Sequence, residues 1–330
     1  MNDTPLHDYA DLNPDAVLNA VESTGLHSDA RLLALNSYEN RVYQVGIEGN
    51  APIVAKFYRP ARWSDDSIRE EHRFTQTLAD AELPVVTALP DSSGETLHRF
   101  GKFRFSLYPR AGGYWPELDS EDKYLRIGRL LGRLHALGAV EPFAHRPTIT
   151  VADYAERSAR FLLEYHFIPV DLETAYRTLF DDLLVRIKRG FAATGTYSAI
   201  RLHGDFHRGN ILWADDTIHL VDFDDCRMGP LMQDIWMLLE GDHQSMEQQL
   251  NWLLDGYRQF HTFDARQLHL LEPLRTLRMI HYSAWLAQRW DDPAFPHHFP
   301  WFNTHRYWQE QILALREQAA LMDEPPLELH

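Results

Sequence analysis

The sequence predicts an α+β chain in two lobes, a small one at residues 1–109 built on an antiparallel sheet and a mainly helical one at residues 110–330. Three observations carry this reading. Strand-like alternation and turn residues are concentrated ahead of residue 109. Pro109-Arg-Ala-Gly-Gly113 then breaks the pattern. Beyond it apolar residues recur at helical spacing, as in Ile127, Leu130, Leu131, Leu134 and Leu137 ahead of Gly138.

Taken in order, Asn13-Pro14-Asp15 has the form of a helix start: a capping side chain, a proline at the first helical position and an acid in the first turn. Val17, Leu18 and Val21 share one face of that helix until Gly25 stops it. Strands are expected at 31–35, 41–48 and 52–59, the last two joined as a hairpin through Glu48-Gly49-Asn50. The connection 36–40 lies between the first two strands and contains no glycine. Alternation in the third strand sets Lys56 on the face opposite Ile53, Ala55 and Phe57. A lysine in the middle of an apolar strand needs either exposure at an edge or an anion. A helix at 64–78 follows, with Ile68, Phe74 and Leu78 toward the core and Glu70 and Glu71 as candidate partners of Lys56. Residues 101–108 alternate Phe103, Phe105 and Leu107 on one side, as a strand does.

The chemistry is concentrated in Arg201-Leu-His203-Gly204-Asp205-Phe206-His207-Arg208-Gly209-Asn210 and in His219-Leu-Val-Asp222-Phe223-Asp224-Asp225. Asp205 heads a glycine-punctuated loop and Asn210 follows five positions later. Then come an apolar strand at 211–213, a turn at Asp215-Asp216 and a second strand ending in Asp222. Metal-assisted phosphoryl transfer needs a carboxylate to orient or deprotonate the attacking hydroxyl, and hard oxygen ligands for an ion that bridges phosphates. The protein-kinase catalytic loop has the same Asp-to-Asn interval, with an arginine where Gly204 stands here. Any one of these residues alone reads as a turn cap; together and in this order they read as a site.

The loop pattern H-G-D-x-H-x-G-N, followed by an aspartate at a strand end, resembles the kinases of aminoglycoside-phosphotransferase-like fold. Within that group the chain most resembles the bacterial stress-response serine/threonine kinases, through 35–43, Val54-Ala-Lys56-Phe-Tyr-Arg59, His145-Arg-Pro147 and Pro293-Ala-Phe-Pro296. The likeness extends over nearly the whole chain. It implies a two-lobed, protein-kinase-like fold with ATP and Mg²⁺ as cofactors. It makes Asp205 the catalytic base, Asn210 and Asp222 the metal ligands, with Asp222 also catalytic, and Lys56 the phosphate clamp paired by Glu71. It sets Ser37 against the nucleotide, and the main chain of 108–110, from Tyr108 to Arg110, along the adenine edge. Asp234, in a helix expected at 231–240 after Gly229-Pro230, is implied as the support of the catalytic loop.

The remaining helices are expected around Leu172 to Ile187, at 245–260 and at 268–290, the last kinked by Pro273. His135 reads as a satisfied core histidine. The aromatic and proline-rich stretch 285–308 reads equally as a packed cap or as a wall of the acceptor site. Cys226 is the single cysteine, so no internal disulfide forms; beside Asp222 it reads as a small buried side chain, with a redox switch as the alternative.

Composition narrows the partners. With 45 % hydrophobic and 24 % charged residues among 330, the chain is that of a folded protein with a substantial core. Against 48 acidic residues stand 32 basic ones, a net charge of −16, which argues against nucleic acid and anionic membrane as partners. Met1-Asn-Asp-Thr-Pro is no secretory leader and no stretch is long enough to span a bilayer, so the expected setting is the cytoplasm and the expected state a monomer. The acceptor implied is serine or threonine of a protein; the alternative is a small-molecule kinase acting on an aminoglycoside, choline or homoserine. Two other classes are weighed against these, a metallohydrolase using His203, Asp205 and His207 as ligands, and an inactive kinase fold that only binds.

Overall fold

The computed structural model describes residues 9–214 and 217–330. The N-terminal Met1-Asn-Asp-Thr-Pro and the turn expected at Asp215-Asp216 lie outside the described residues. In chain order the first elements are α1 (Pro14–Glu22), β1 (Ser28–Leu35), β2 (Arg41–Ile47), β3 (Asn50–Phe57), α2 (Asp65–Asp80), β4 (His98–Phe100) and β5 (Phe103–Pro109). They are followed by α3 (Glu121–Gly138), α4 (Ser158–Glu164), α5 (Val170–Thr194), β6 (Ile200–Leu202), β7 (Ile211–Ala214), β8 (Thr217–Leu220) and β9 (Arg227–Gly229). The last are α6 (Met232–Trp236), α7 (His243–Tyr257), α8 (Leu271–Ala287), α9 (Ala294–His298) and α10 (His305–Leu321). The architecture is the α+β one expected from the sequence. Packing divides the described chain into two compact units: one holds residues up to Glu117 with Phe143–Arg146 and Arg208–Cys226, the other Leu118–Pro142, Pro147–His207 and Arg227–His330.

The first unit is built on a five-stranded antiparallel sheet in the order β1-β2-β3-β5-β4. Glu48 and Gly49 turn the chain between β2 and β3, with Ile47 opposite Asn50, so the foreseen hairpin forms. A second hairpin, β4 to β5 with Phe100 opposite Phe103, replaces the start of the strand expected at 101–108. Three residues of β4 are too few to show an alternating pattern in sequence. One sheet face, Ile53, Ala55 and Phe57 with Phe103, Phe105 and Leu107, forms a core with Val17, Ala20 and Val21 of α1. The other face carries Lys56, directly opposite Ser106. Because strand residues alternate, the apolar neighbours that bury one face of β3 also direct Lys56 to the other. Ser64 caps α2 by accepting from the Ser67 N–H at 3.1 Å, and Ile68, Phe74 and Leu78 are buried as expected.

In the second unit α3 lies against α7, and two glycines make this possible. A Cβ on Gly128 would run into the Leu253 carbonyl oxygen, and one on Gly132 would come within 2.5 Å of that of Tyr257. Two helix expectations are corrected. The helix expected at 231–240 spans only Met232–Trp236, because Leu238 and Leu239 donate to Ile235 and Trp236 in tightened turns that close it. Nor does Pro273 kink a helix from 268: α8 begins at Leu271, which puts the proline in the first turn, where no N–H partner is lost. Among the described residues no helix is long and apolar enough to cross a membrane.

Candidate active site

Three of the expected positions meet in the first unit around Lys56. This lysine stands on the central strand with its side chain 9 % exposed, so the edge-lysine reading falls, and the anions beside it are carboxylates. Its Nζ is 3.0 Å from Asp224, 3.3 Å from Asp222 and 3.6 Å from Glu71. Burial alone would depress the ammonium, but Asp224, Glu71 and Asp222 more than offset it and hold the Lys56 pKa well above its ordinary value. The neighbouring acids divide the work. Glu71 accepts from Arg146 Nη2 at 2.7 Å, whereas Glu70 accepts the backbone N–H groups of Ala144, His145 and Arg146 at 2.6, 2.8 and 2.9 Å. Glu71 is therefore the acid beside Lys56, and Glu70 shapes the turn that delivers Arg146.

Asp222 comes from the β7–β8 hairpin. Ile211 pairs with Leu220 at its open end, and beyond that pair the Val221 N–H donates to the Asn210 carbonyl at 3.0 Å. The hairpin register thus brings Asn210 and Asp222 to the same mouth. Asp222 has left-handed backbone, φ 59 and ψ 65, a conformation that a non-glycine residue rarely takes. Its carboxylate is 55 % exposed, against 4 % for Asp224 and 35 % for Asp225. Arg62 binds both Asp224 and Asp225. Burial would raise the Asp224 carboxyl, and Arg62, Lys56 and Arg146 hold it far below the usual range instead. Of the three acids, Asp222 is the one open to a ligand.

Asp205 belongs to the second unit, at the end of the loop leaving β6. Asp234 fixes that loop: its carboxylate is fully buried and accepts the backbone N–H of His203 at 2.9 Å and of Gly204 at 2.8 Å. Gly204 has φ 86, where a side chain would be strained, and its carbonyl accepts from Gln233 Nε2 at 3.1 Å. Behind Asp234 stands His135, 3.2 Å away through Nε2 and 2.9 Å from the Tyr257 hydroxyl through Nδ1. The Asp205 carboxylate itself is partly exposed and accepts from Arg278 Nη1 at 2.7 Å, with His207 Nε2 at 3.3 Å. Burial would raise its pKa, but the His207 bond and the Arg278 charge win and hold it well below the usual carboxylate range. A carboxylate anchored from behind and kept ionised can accept a proton or a hydrogen bond from a hydroxyl.

The fold is shared with known proteins. A model of the phosphotransferase enzyme family matches residues 31–271. The chain belongs to the phosphotransferase enzyme family. Stress response kinase A of Escherichia coli O157:H7 is 41 % identical over 97 % of both chains. A protein of Salmonella typhimurium named serine/threonine protein kinase RdoA is 41 % identical over 100 % of this chain and 99 % of its own. Among solved structures, an amicoumacin kinase in complex with AMP-PNP and Ca²⁺ superposes with a TM-score of 0.72 at 19 % identity, covering 95 % of this chain and 94 % of that one. A microcompartment-associated aminopropanol kinase gives 0.69 at 17 %, covering 94 % and 97 %. The chain is thus a kinase of the two-lobed fold expected from its sequence.

Within this family's phosphotransfer chemistry the donor set suits magnesium. Asp222, with its accessible carboxylate, and Asn210, with an amide oxygen, would supply hard ligands of the kind this ion takes. The metallohydrolase set is not assembled, since His203 is fully buried with its Nδ1 3.3 Å from the Asp205 N–H. Ser37 lies half-buried between β1 and β2, in a connection that Arg59 fastens through the Glu39 carbonyl at 3.0 Å and the Asn40 side chain at 3.1 Å. Tyr108 closes β5 and its hydroxyl meets those of Tyr58, at 3.0 Å, and His72 Nε2, at 3.3 Å. Burial, then Lys56 and Arg146, push His72 down to about 3, so it is a neutral member of that cluster. Arg110 is exposed just past the strand. Arg146, His135, Tyr257 and Arg278 are the residues that sequence reasoning did not assign to the site.

Proposed function

We propose that this kinase uses ATP and Mg²⁺ to phosphorylate serine or threonine of proteins in the bacterial cytoplasm, as part of a stress response. Asp205 is the base: the acceptor hydroxyl gives it a proton while its oxygen bonds the γ-phosphorus, and the bond to the β-phosphate oxygen breaks to leave ADP. Asn210 and Asp222 would hold magnesium, which would offset the charge of the phosphates. Lys56, steadied by Glu71, clamps the phosphates, Ser37 contacts them, and the main chain from Tyr108 to Arg110 lines the adenine. Residues 1–109 then serve mainly the nucleotide, and 110–330 carry the catalytic loop and the acceptor site of a chain acting as a monomer.

The observation that carries the choice of acceptor is the pair Arg278–Asp205, 2.7 Å apart with His207 on the same carboxylate. A cationic amine of the aminoglycoside or choline type would meet an arginine where it needs an acid, a like-charge contact that costs affinity. A neutral protein hydroxyl meets no such penalty. The name of one 41 % identical relative, serine/threonine protein kinase RdoA, points the same way. Purified protein with labelled ATP and Mg²⁺ tests this against a basic protein, the kinase itself, choline, homoserine and an aminoglycoside. Label on protein serine or threonine is expected. A chain inert toward proteins that turns over one of the small alcohols at an ordinary enzymatic rate contradicts it.

A further inference from the structure

Asp222, Asp224 and Asp225 stand within four residues of one another just after β8, and the fold does not present them alike. Like charges so close repel, and left to themselves they would make a cage of hard oxygens for any divalent cation. Two cations of the protein divide them. Lys56 Nζ lies between Asp222 and Asp224, at 3.3 and 3.0 Å. Arg62, from the turn between β3 and α2, forks across the other pair: Nη1 binds Asp224, and Nη2 donates to Asp225 Oδ1 at 2.8 Å. Backbone conformation makes the same division, since Asp222 is left-handed whereas Phe223, Asp224 and Asp225 form one tight helical turn.

Arg62 is itself held in place. Its side chain is 12 % exposed, its Nη1 lies 3.7 Å from the Glu39 carboxylate, and its guanidinium is 5.1 Å from the centre of the Trp63 ring. Glu39 is fixed in turn by Arg59, whose Nε is 3.1 Å from the carboxylate and 3.0 Å from the carbonyl oxygen. Burial protects these pairs from screening by salt. A planar fork spanning two carboxylates is also a task that the point charge of a lysine does not perform. The result has a direction. The two aspartates that Arg62 takes are turned toward a cation of the chain, and Asp222, with the most exposed carboxylate of the three, is left for a cation from solution.

We propose that Arg62 is a positioning residue of the metal site: by holding Asp224 and Asp225 it limits the carboxylates offered to the metal to that of Asp222, and it keeps Lys56 from being captured by Asp224. The inference rests on the reading of Asp222 as a metal ligand and Lys56 as the phosphate clamp, and adds to it what sets the strength of the site. One free carboxylate binds a divalent ion weakly until phosphate charge joins it, whereas two or three would bind it without nucleotide. Asp224, deprived of Arg62, would draw more strongly on Lys56, because partners that share a charge compensate for one another.

The test titrates Mn²⁺ alone into the full-length, nucleotide-free protein and follows the free ion by its paramagnetic resonance signal. Asp222→Asn should weaken binding about tenfold, whereas Asp225→Asn should leave it within about twofold of wild type, because a masked carboxylate contributes little. Arg62→Gln should tighten Mn²⁺ binding about tenfold by releasing Asp225, and adding Asp225→Asn to it should remove that gain. Arg62→Lys, which keeps the charge and loses the fork, should fall between wild type and Arg62→Gln. ATP without metal should move the other way and bind Arg62→Gln more weakly. A residue that only stabilised the fold would loosen both ligands and tighten neither. Asp225→Asn carries the test if Arg62→Gln does not fold. Equal weakening by Asp225→Asn and Asp222→Asn, or a folded Arg62→Gln that binds Mn²⁺ no more tightly than wild type, overturns the inference while leaving the metal role of Asp222 intact. Unchanged Mn²⁺ affinity in Asp222→Asn overturns that role, and the inference with it.

Discussion

Lys56 and Asp205 are the charged centres of the two units, and they are held by opposite means. Lys56 is surrounded by side chains, with Asp224, Asp222 and Glu71 within 3.6 Å and Arg62 and Arg146 binding those acids in turn. Asp205 rides on a backbone loop whose N–H groups are pinned by the buried Asp234, with Arg278 and His207 against its carboxylate. A network of mutually compensating ions redistributes charge when a phosphate-bearing ligand enters or leaves, because each member has more than one partner. A loop pinned by main-chain bonds fixes position and tolerates little redistribution. On the roles proposed above, a unit that handles a large polyanion needs the first property, and a residue that must meet a hydroxyl to within tenths of an ångström needs the second.

The largest effect on this comparison is expected from Asp222→Asn. A neutral amide is a poorer ligand for a hard cation and leaves phosphate charge uncompensated, so turnover should fall by about 10²–10³-fold with the thermal midpoint unchanged. Near-normal turnover at saturating Mg²⁺ would transfer the metal role away from Asp222, toward Asp225, since Asp224 is buried under Arg62 and Lys56.

The converse pattern is expected in the second unit. Asp234→Asn leaves one amide oxygen to do what two carboxylate oxygens do for the His203 and Gly204 N–H groups and His135. It should cost about 2 kcal/mol of stability in thermal or urea denaturation, together with turnover, because the Asp205 loop loses its anchor. A variant of full stability and full activity would show that the loop holds itself. Lys56→Ala ranks next. It should raise the KM for ATP about tenfold and leave the Asp205 step intact, with Ser37→Ala acting in the same direction but more weakly; unchanged ATP affinity and turnover in Lys56→Ala would remove the first unit from nucleotide handling.

The smallest effect is a shift in pH dependence. A depressed Asp205 pKa keeps the base in its working carboxylate form to lower pH, so wild-type kcat/KM should hold as the medium is acidified through the usual carboxylate range. In Arg278→Gln the lowering contribution of the guanidinium is gone while that of burial, which raises the pKa, remains. The acid limb should therefore move to higher pH, by about one unit. An identical limb in both proteins would mean that the group titrating there is not Asp205.

How much of this was legible in the sequence follows from how local each signal is. Asp205, Asn210 and Asp222 fall within one short stretch, and the strand between them dictates the hairpin that joins the last two. Alternation placed Lys56 on the face away from the core but left exposure or an anion open, and it was the resemblance that chose the anion. Residues alone left Glu70 and Glu71 open; the structure separates them through a turn at 144–146 that no periodicity announces. His145-Arg-Pro147 stood out only as a point of likeness, and Arg146 turns out to bind Glu71. His135 was read as a satisfied core histidine, which it is, but its partners Asp234 and Tyr257 lie 99 and 122 positions away. The pair Gly128 and Gly132 was the available clue to the helix contact that brings Tyr257 there. Arg278 had no local signal at all, since an arginine on a helix face is ordinary until the fold sets it against Asp205. The even choice at 285–308 dissolves into two parts: Phe295, Phe302 and Trp308 are packed core, while Trp285 supports the exposed side of α8.

The central claim is that Asp205 carries phosphoryl transfer to a protein hydroxyl. It is tested most directly by comparing wild type with Asp205→Ala, at saturating labelled ATP and Mg²⁺ and with a basic protein as acceptor, and by identifying the labelled amino acid after hydrolysis. The account predicts phosphoserine or phosphothreonine from the wild type, and a loss of about 10²–10⁴-fold in Asp205→Ala with ATP affinity retained. Undiminished labelling by Asp205→Ala, or a wild type that labels no protein, would contradict it.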